Sequence, residues 1–278
     1  VRIVTVPEMP EVETILMDLK PLLAGRRIVS ADCADPSAIK MPGAHGEFCR
    51  RVAGTTIVDL HRIAKYLILR LDTGDEIVLH LRMTGRLVYD PDGEQPATRE
   101  RVALKLDGGG TLRFVDLRRL GTLHLVRDAR RLPAIEALGP DPLAPRFTAR
   151  RLRRLLRGRR SRIKPLLMDQ RFLAGLGNIY ANEALHCAGI RPTRRAHTIT
   201  MDEARRLHRA VRRVLRKGVM HGGASTRTYR RPDGSVGRFQ EAFEVYDRAG
   251  APCPTCGEPI KRIMVAGRGT FYCSRCQR

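Results

Sequence analysis

Four cysteines near the end of the sequence, Cys253, Cys256, Cys273 and Cys276, are spaced C-x2-C-x16-C-x2-C. Two such turns each offer a pair of thiolates to one tetrahedral zinc, with a hairpin filling the interval between them. KRIMV (261–265) and TFYC (270–273) are the expected strands, and AGRG (266–269) the turn that carries Arg268 at its tip. Two local disulfides are the competing reading, disfavoured because the rest of the chain reads as cytoplasmic. Cys33, Cys49 and Cys187 are scattered singly, as suits buried reduced thiols.

Three other places could do chemistry. PEMPEVE (7–13) is acidic in a basic chain, and Glu8 stands just before the first expected helix. A carboxylate beside a secondary amine is a workable acid and base pair for imine chemistry, although an acid there also compensates a helix dipole. Lys65, in RIAKYLIL, stands at the head of an apolar strand. Partial desolvation would lower its pKa and suit it to proton transfer; a lysine snorkelling from a strand end is the alternative. GLGNIYANEAL (175–185) puts two glycines and Asn178 at a helix start, where free N–H groups favour an anion such as a DNA phosphate. Simple N-capping by the asparagine explains the pattern equally well.

These residues need elements to position them. From Pro10, the residues Val12, Ile15, Leu16, Leu19, Leu22 and Leu23 share a helical face, which Pro21 should kink or end early. Between about 26 and 126 the pattern turns to short β-rich runs, among them 65–71, 76–81, 102–106, 111–115 and 122–126, predicting an antiparallel sandwich or barrel. After LGPDPLAP (138–145) the chain becomes helical and more basic, which marks a domain boundary. Helices are expected near 148–158, from 178 to Gly189, and over 201–218. In the last, Thr200 and Glu203 form a capping box and Ala204, Leu207, Val211, Val214 and Leu215 the buried stripe. Residues 221–240, polar and glycine-rich without apolar period, read as a long mobile loop.

Composition narrows the partner. The 278 residues carry 52 Lys and Arg against 29 Asp and Glu, a net charge of +23. The default partner is a polyanion, foremost nucleic acid. No apolar run of about 20 residues could span a bilayer and no signal-peptide pattern opens the chain, so a cytoplasmic protein without membrane association is expected.

Taken in order, PEMPEVET (7–14), AKYL (64–67), HLRMTG (80–85), DLRRLG (116–121), LGPDPL (138–143), IKPLLMD (163–169), GLGNIYANEAL and the zinc segment ending GRGTFYCSRCQR resemble the bacterial formamidopyrimidine-DNA glycosylase family. The resemblance implies an α+β, multidomain chain: an N-terminal β-sandwich over 7–137, a helix-two-turn-helix domain over 138–243 that includes a lesion loop at 221–240, and a zinc finger over 244–278. It implies a monomer that flips an oxidised purine such as 8-oxoguanine out of double-stranded DNA, excises it and cuts the strand at the abasic site. Flipping is physically required because the glycosidic bond cannot be reached within the stack.

By the same resemblance Pro7 is the nucleophile that forms a Schiff base, and Glu8 transfers protons during base loss and ring opening. Lys65 assists early elimination; Arg268 assists the second and grips a phosphate. Lys164 and Asn178 clamp phosphates, and Arg159 is a further DNA contact. Met83, Arg118 and Leu120 fill the void left by the extruded base. One zinc is structural and takes no part in the chemistry. The related endonuclease VIII branch, acting on oxidised pyrimidines, is disfavoured by PEMPEVET, the Met83–Arg118 pair and the long 221–240 loop.

The chain departs from the family pattern in places. VRIVTV precedes Pro7, and an internal proline nitrogen is a tertiary amide that cannot form an iminium. The expectation is that Val6 corresponds to an alternative start codon, translated as Met and removed to expose Pro7; with the extra residues retained, a damage-binding protein without catalysis is expected. DLRRLG replaces the family's D-P-R-R-F-G, so Leu120 stands in for an aromatic wedge and altered recognition of the opposite cytosine is expected. Arg99, in TRER (98–101), aligns with a DNA-contacting histidine.

Overall fold

The helix expected from Pro10 forms as α1 (Met9–Leu23) and buries Met9, Val12, Ile15, Leu19 and Leu23, in a computed structural model that describes residues 6–41, 43, 45–93, 98–226 and 228–278. The first five residues of VRIVTV, and Arg227 of the 221–240 loop, lie outside the described residues. Pro21 does not end α1 early: the helix continues to Leu23 and closes with the Ala24 N–H on the Lys20 carbonyl. A proline in the last turn forfeits a single hydrogen bond, and the stripe beneath it holds the turn down. Leu22, counted in that stripe, is instead 40% exposed.

Among the described residues, nine strands follow, with one α-helix and a short 3-10 turn between them: β1 (Ile28–Asp32), β2 (Ile39–Met41), α2 (His45–Val52), β3 (Ile57–Ile63), β4 (Tyr66–Leu71), β5 (Glu76–His80), β6 (Gly85–Asp90), β7 (Glu100–Leu106), β8 (Thr111–Asp116) and β9 (Thr122–Val126). They pair into a four-stranded sheet, β1-β7-β8-β6, and a five-stranded one, β2-β9-β5-β4-β3. The two remain separate, so the architecture is a sandwich rather than a closed barrel. Leu67, Leu69, Ile77 and Leu79 from one sheet meet Leu87, Val102, Leu104, Leu112 and Phe114 from the other, and α1 joins the same core through Val12, Ile15 and Leu19. Among the described residues, every pairing of these strands is antiparallel except β2 with β9.

Beyond the sandwich come α3 (Pro133–Glu136), α4 (Ala149–Leu156), α5 (Ile163–Met168), α6 (Asn178–Ala188) and α7 (Met201–Met220). Gly189 stops α6 in the left-handed conformation, φ 70°. Thr200 and Glu203 cap α7 reciprocally, at 3.3 and 2.8 Å, and all five residues of its expected stripe are buried. A hairpin of β10 (Lys261–Val265) and β11 (Arg268–Tyr272) ends the chain. Its Phe271, with Cys253 and Ile260, belongs to one apolar cluster with α6, α7 and Met9. The hairpin is therefore part of the helical core, and the start of α1 reaches into that core as well.

The 221–240 segment is docked, contrary to the expectation of a mobile loop. Tyr229 is 4% exposed and sits in the sandwich core. Arg231 grips Asp18 of α1 with two nitrogens, at 2.8 and 2.5 Å, and the Tyr89 N–H of β6 donates to the Pro232 carbonyl at 3.0 Å. Its anchors are one buried aromatic, one forked ion pair and backbone hydrogen bonds, none of which needs an apolar period. Among the described residues, no helix is long and apolar enough to cross a membrane.

Candidate active site

Glu8 precedes α1 and is 3% exposed. Its carboxylate accepts from the Gly177 and Ile179 N–H groups at the start of α6, the latter at 2.9 Å. The anion that GLGN attracts is thus the chain's own: the N-cap position is Gly177, and the Asn178 side chain makes no cap. A Cβ at Gly177 would collide with the Glu8 carboxyl, and one at Gly175, which adopts φ 94°, would press on the Met9 side chain at 2.8 Å. The two glycines let the segment 7–9 press against the helix start. Burial pushes the Glu8 carboxyl up to about 7, with nearby Glu11 adding to the rise and Lys65 and the two backbone bonds opposing it. Near neutral pH such a group both gives and takes protons.

Lys65 lies in the two-residue turn between β3 and β4, just before the strand it was expected to head. Ala64 supplies the turn by adopting φ 52°. The Lys65 ammonium donates to the Leu176 carbonyl at 2.8 Å. That oxygen also accepts from Gln170 at 2.7 Å, while Gln170 receives the Gly175 N–H at 2.9 Å. Burial lowers the Lys65 pKa; Glu8 and Glu11 counter it, and Arg268 lowers it further. Pro7, directly before Glu8 in the chain, is buried.

Arg268 is exposed at the first position of β11, and the hairpin beneath it is fixed from both sides. Lys164 of α5, 1% exposed, donates to the Gly269 carbonyl at 2.9 Å and the Thr270 hydroxyl at 2.7 Å. Burial brings its pKa down to about 7, Glu8 opposing and Arg268 assisting. The Phe271 N–H donates to Asn182 of α6 at 2.8 Å. Glu8, Lys65, Lys164 and Arg268 therefore share one electrostatic neighbourhood, although they come from four distant stretches of chain.

At the hairpin's base the four sulfurs of Cys253, Cys256, Cys273 and Cys276 lie within 4.8 Å of one another. Tetrahedral zinc with bonds of about 2.3 Å sets its sulfurs about 3.8 Å apart. Cys253 and Cys276 are separated by 3.9 Å, and Cys256 and Cys273 by 3.4 Å. This set holds one structural zinc, which binds both ends of the hairpin into one unit. His186 of α6 bridges the site to Glu244, 2.8 Å from Glu244 and 3.5 Å from the Cys253 sulfur.

The expected wedge residues lie together on exposed turns of the sandwich. The Arg118 guanidinium contacts the Met83 sulfur at 3.2 Å, and Leu120 is 44% exposed. Their frame is Asp116, 1% exposed, which accepts the Thr84 hydroxyl and the N–H groups of Arg118, Leu120 and Gly121. Buried Arg101 stands 3.7 Å from the same carboxylate and 2.9 Å from Asp35. Arg99, exposed at φ 66°, takes the Asp116 N–H on its carbonyl. Arg159 is exposed after α4, where its carbonyl accepts the His197 N–H at 3.0 Å.

Sequence reading missed Glu11 and Asp116 as organisers. Glu11 is 2% exposed and accepts from the Tyr180 hydroxyl at 2.6 Å, the Ala224 N–H at 2.8 Å and the Glu8 N–H at 2.8 Å. It thereby joins α1, α6 and the 221–240 segment. Its one available signal was a second acid in PEMPEVE, indistinguishable locally from a solvated helix charge.

Three family models match the chain: the formamidopyrimidine-DNA glycosylase N-terminal domain over residues 6–123, the H2TH domain of the same enzyme over 138–230, and a zinc finger found in FPG and IleRS over 250–278. A formamidopyrimidine-DNA glycosylase from Desulforamulus reducens is 46% identical, over 98% of this chain and 99% of its own. One from Chloroflexus aggregans is 45% identical, over 98% of each. Among solved structures, the MutM (Fpg) protein of Thermus thermophilus superposes with TM-score 0.87 at 42% identity, covering 98% of both chains. The Lactococcus lactis Fpg in complex with DNA containing an abasic site gives 0.90 at 32% identity, covering 98% of this chain and 99% of its own. With all three of its parts matched in order and nearly its whole length aligned, the chain belongs to the formamidopyrimidine-DNA glycosylase family.

Proposed function

We propose that this protein removes oxidised purines, 8-oxoguanine and formamidopyrimidines, from duplex DNA and then cuts the abasic strand through a Schiff base on Pro7. The observation that carries the reading is the buried Glu8 carboxyl, held near neutrality between the start of α6 and Lys65. Pro7, one residue away, supplies the nitrogen that attacks the anomeric carbon. Glu8 gives a proton as the base leaves and the sugar opens, and the resulting iminium acidifies the neighbouring carbon for β-elimination. Lys65 serves the first elimination. Arg268, offered by the zinc-bound hairpin, grips the phosphate beside the lesion and serves the second.

Met83, Arg118 and Leu120 enter the space left by the flipped base, offsetting part of the cost of unstacking. Arg99, Arg159 and Asn178 contact the DNA backbone. Lys164 acts on the phosphate side by holding the hairpin carbonyl and hydroxyl beneath Arg268. The complexes of the Lactococcus lactis enzyme with Fapy-dG and abasic DNA support this choice of substrate. The protein acts as a monomer on the chromosome, in the bacterial cytoplasm.

The chemistry requires the Pro7 nitrogen free of any acyl group, so the active form lacks the Val6–Pro7 bond. Borohydride trapping on an abasic duplex tests this with protein whose intact mass shows proline first. A covalent adduct is expected, with none from protein that retains Val6. Adduct formation by the retained form, or none by the proline-first form, would overturn the assignment. Matched duplexes carrying 8-oxoguanine or an oxidised pyrimidine should be cut in that order of preference.

A further inference from the structure

The two cysteines that looked isolated in the sequence, Cys33 and Cys49, meet in the fold with their sulfurs 2.7 Å apart. Cys33 directly follows β1 and Cys49 lies in α2, 16 positions later. Phe48 and Val52, both fully buried, fasten α2 to the sandwich core on either side of Cys49. Arg51 pairs with Asp75 at 2.9 Å on the same helix. The separation is too short for two ligands of one tetrahedral zinc, whose sulfurs stand about 3.8 Å apart, and it lies close to the S–S bond of about 2.05 Å. Both thiols are part-exposed, so a small oxidant can reach them.

We propose that Cys33 and Cys49 are a redox modification site, closed to a disulfide by peroxide and reopened by thiols. One sulfur attacks the O–O bond and becomes a sulfenic acid as the first water leaves. The second sulfur then displaces hydroxide from it, which departs as a second water. Two thiols and one hydrogen peroxide thus give one disulfide and two waters, each sulfur losing one electron overall. The disulfide ties the end of β1 to α2 and closes a segment containing Asp35, the carboxylate that braces Arg101 and Arg119 at 2.9 and 3.4 Å.

The test uses zinc-loaded protein titrated with hydrogen peroxide, followed by alkylation, intact mass and peptide mapping, with zinc release read in parallel. Expected are loss of two hydrogens, a linked peptide joining Cys33 to Cys49, zinc retained, and Cys187 still alkylated. The melting temperature should rise by a few degrees and return to its starting value with dithiothreitol. Cys33→Ser and Cys49→Ser should each abolish the linked peptide and the rise while leaving excision unchanged. Recovery of both cysteines alkylated, their separate over-oxidation without a linked peptide, or zinc loss while the pair stays reduced would each overturn the proposal.

Discussion

The seam around Glu8 and the turn that carries Leu120 are organised in opposite ways. In the seam, the candidate groups are themselves drawn inward and held by backbone: buried Glu8 by two N–H donors of α6, half-buried Lys65 by the Leu176 carbonyl. In the turn, only the organiser is buried. Asp116 spends its carboxylate on backbone N–H groups, so Arg118 and Leu120 project outward with their shape fixed and their side chains exposed. Burial gives the first region altered proton affinity, which acid–base chemistry needs. Exposure leaves the second free to meet a duplex, where its fixed backbone limits the entropy lost on contact.

The largest expected effect breaks the seam without breaking the turn. Glu8→Gln should lower base excision by about 10²–10⁴-fold while leaving borohydride trapping on a preformed abasic site, whose sugar has already lost its base. Retained excision would remove Glu8 from the proton path. The same variant carries a pH signature. The folded Glu8 pKa stands near 7, above the unfolded value of 4.5, so the native state binds the extra proton and loses stability as pH rises from 4.5 through 7. Denaturant melts across that window should be flatter for Glu8→Gln than for the parent.

Asp116→Ala attacks the turn through its organiser. It strands three donors, the Thr84 hydroxyl and the Leu120 and Gly121 N–H groups, and takes one of two carboxylates from buried Arg101, a loss of about 3 kcal/mol in urea unfolding. A loss below about 1 kcal/mol would show that Asp35 suffices for Arg101 and that the turn holds itself. The smallest effects on the free protein should come from the projecting side chains. Leu120→Ala and Arg159→Ala should each leave stability within about 0.5 kcal/mol. On DNA they should diverge. Arg159→Ala should weaken all sequences alike and reduce the salt slope by about 1; Leu120→Ala should weaken lesion duplexes and leave the slope unchanged. Equal salt behaviour would erase the distinction between wedge and phosphate contact.

Legibility followed the range of the interactions concerned. The cysteine pairs, the Thr200–Glu203 capping box, the Gly189 stop and the α7 stripe depend on neighbours within a few residues, and their patterns stand in the sequence. Motif resemblance reached Lys65 and Arg268 as well, but not the contacts that hold them. The docking of residues 221–240 was hidden because its anchors, Tyr229 and the Arg231–Asp18 pair, are single residues whose partners lie far away in the chain.

By itself the sequence determined the sandwich strands and the longer helices, though not α2 or α5, together with the zinc ligands, the cationic character and, through ordered motifs, the family. These rest on local periodicity, spacing and composition, which survive without a fold. Only the tertiary structure decided that the anion at the start of α6 is Glu8, 169 residues from Gly177, and that Glu11 ties α1 to Tyr180 and Ala224. It alone brought Cys33 to Cys49. Proton affinity and sulfur proximity depend on what surrounds a group in space, and burial and long-range contact exist only once the chain has packed.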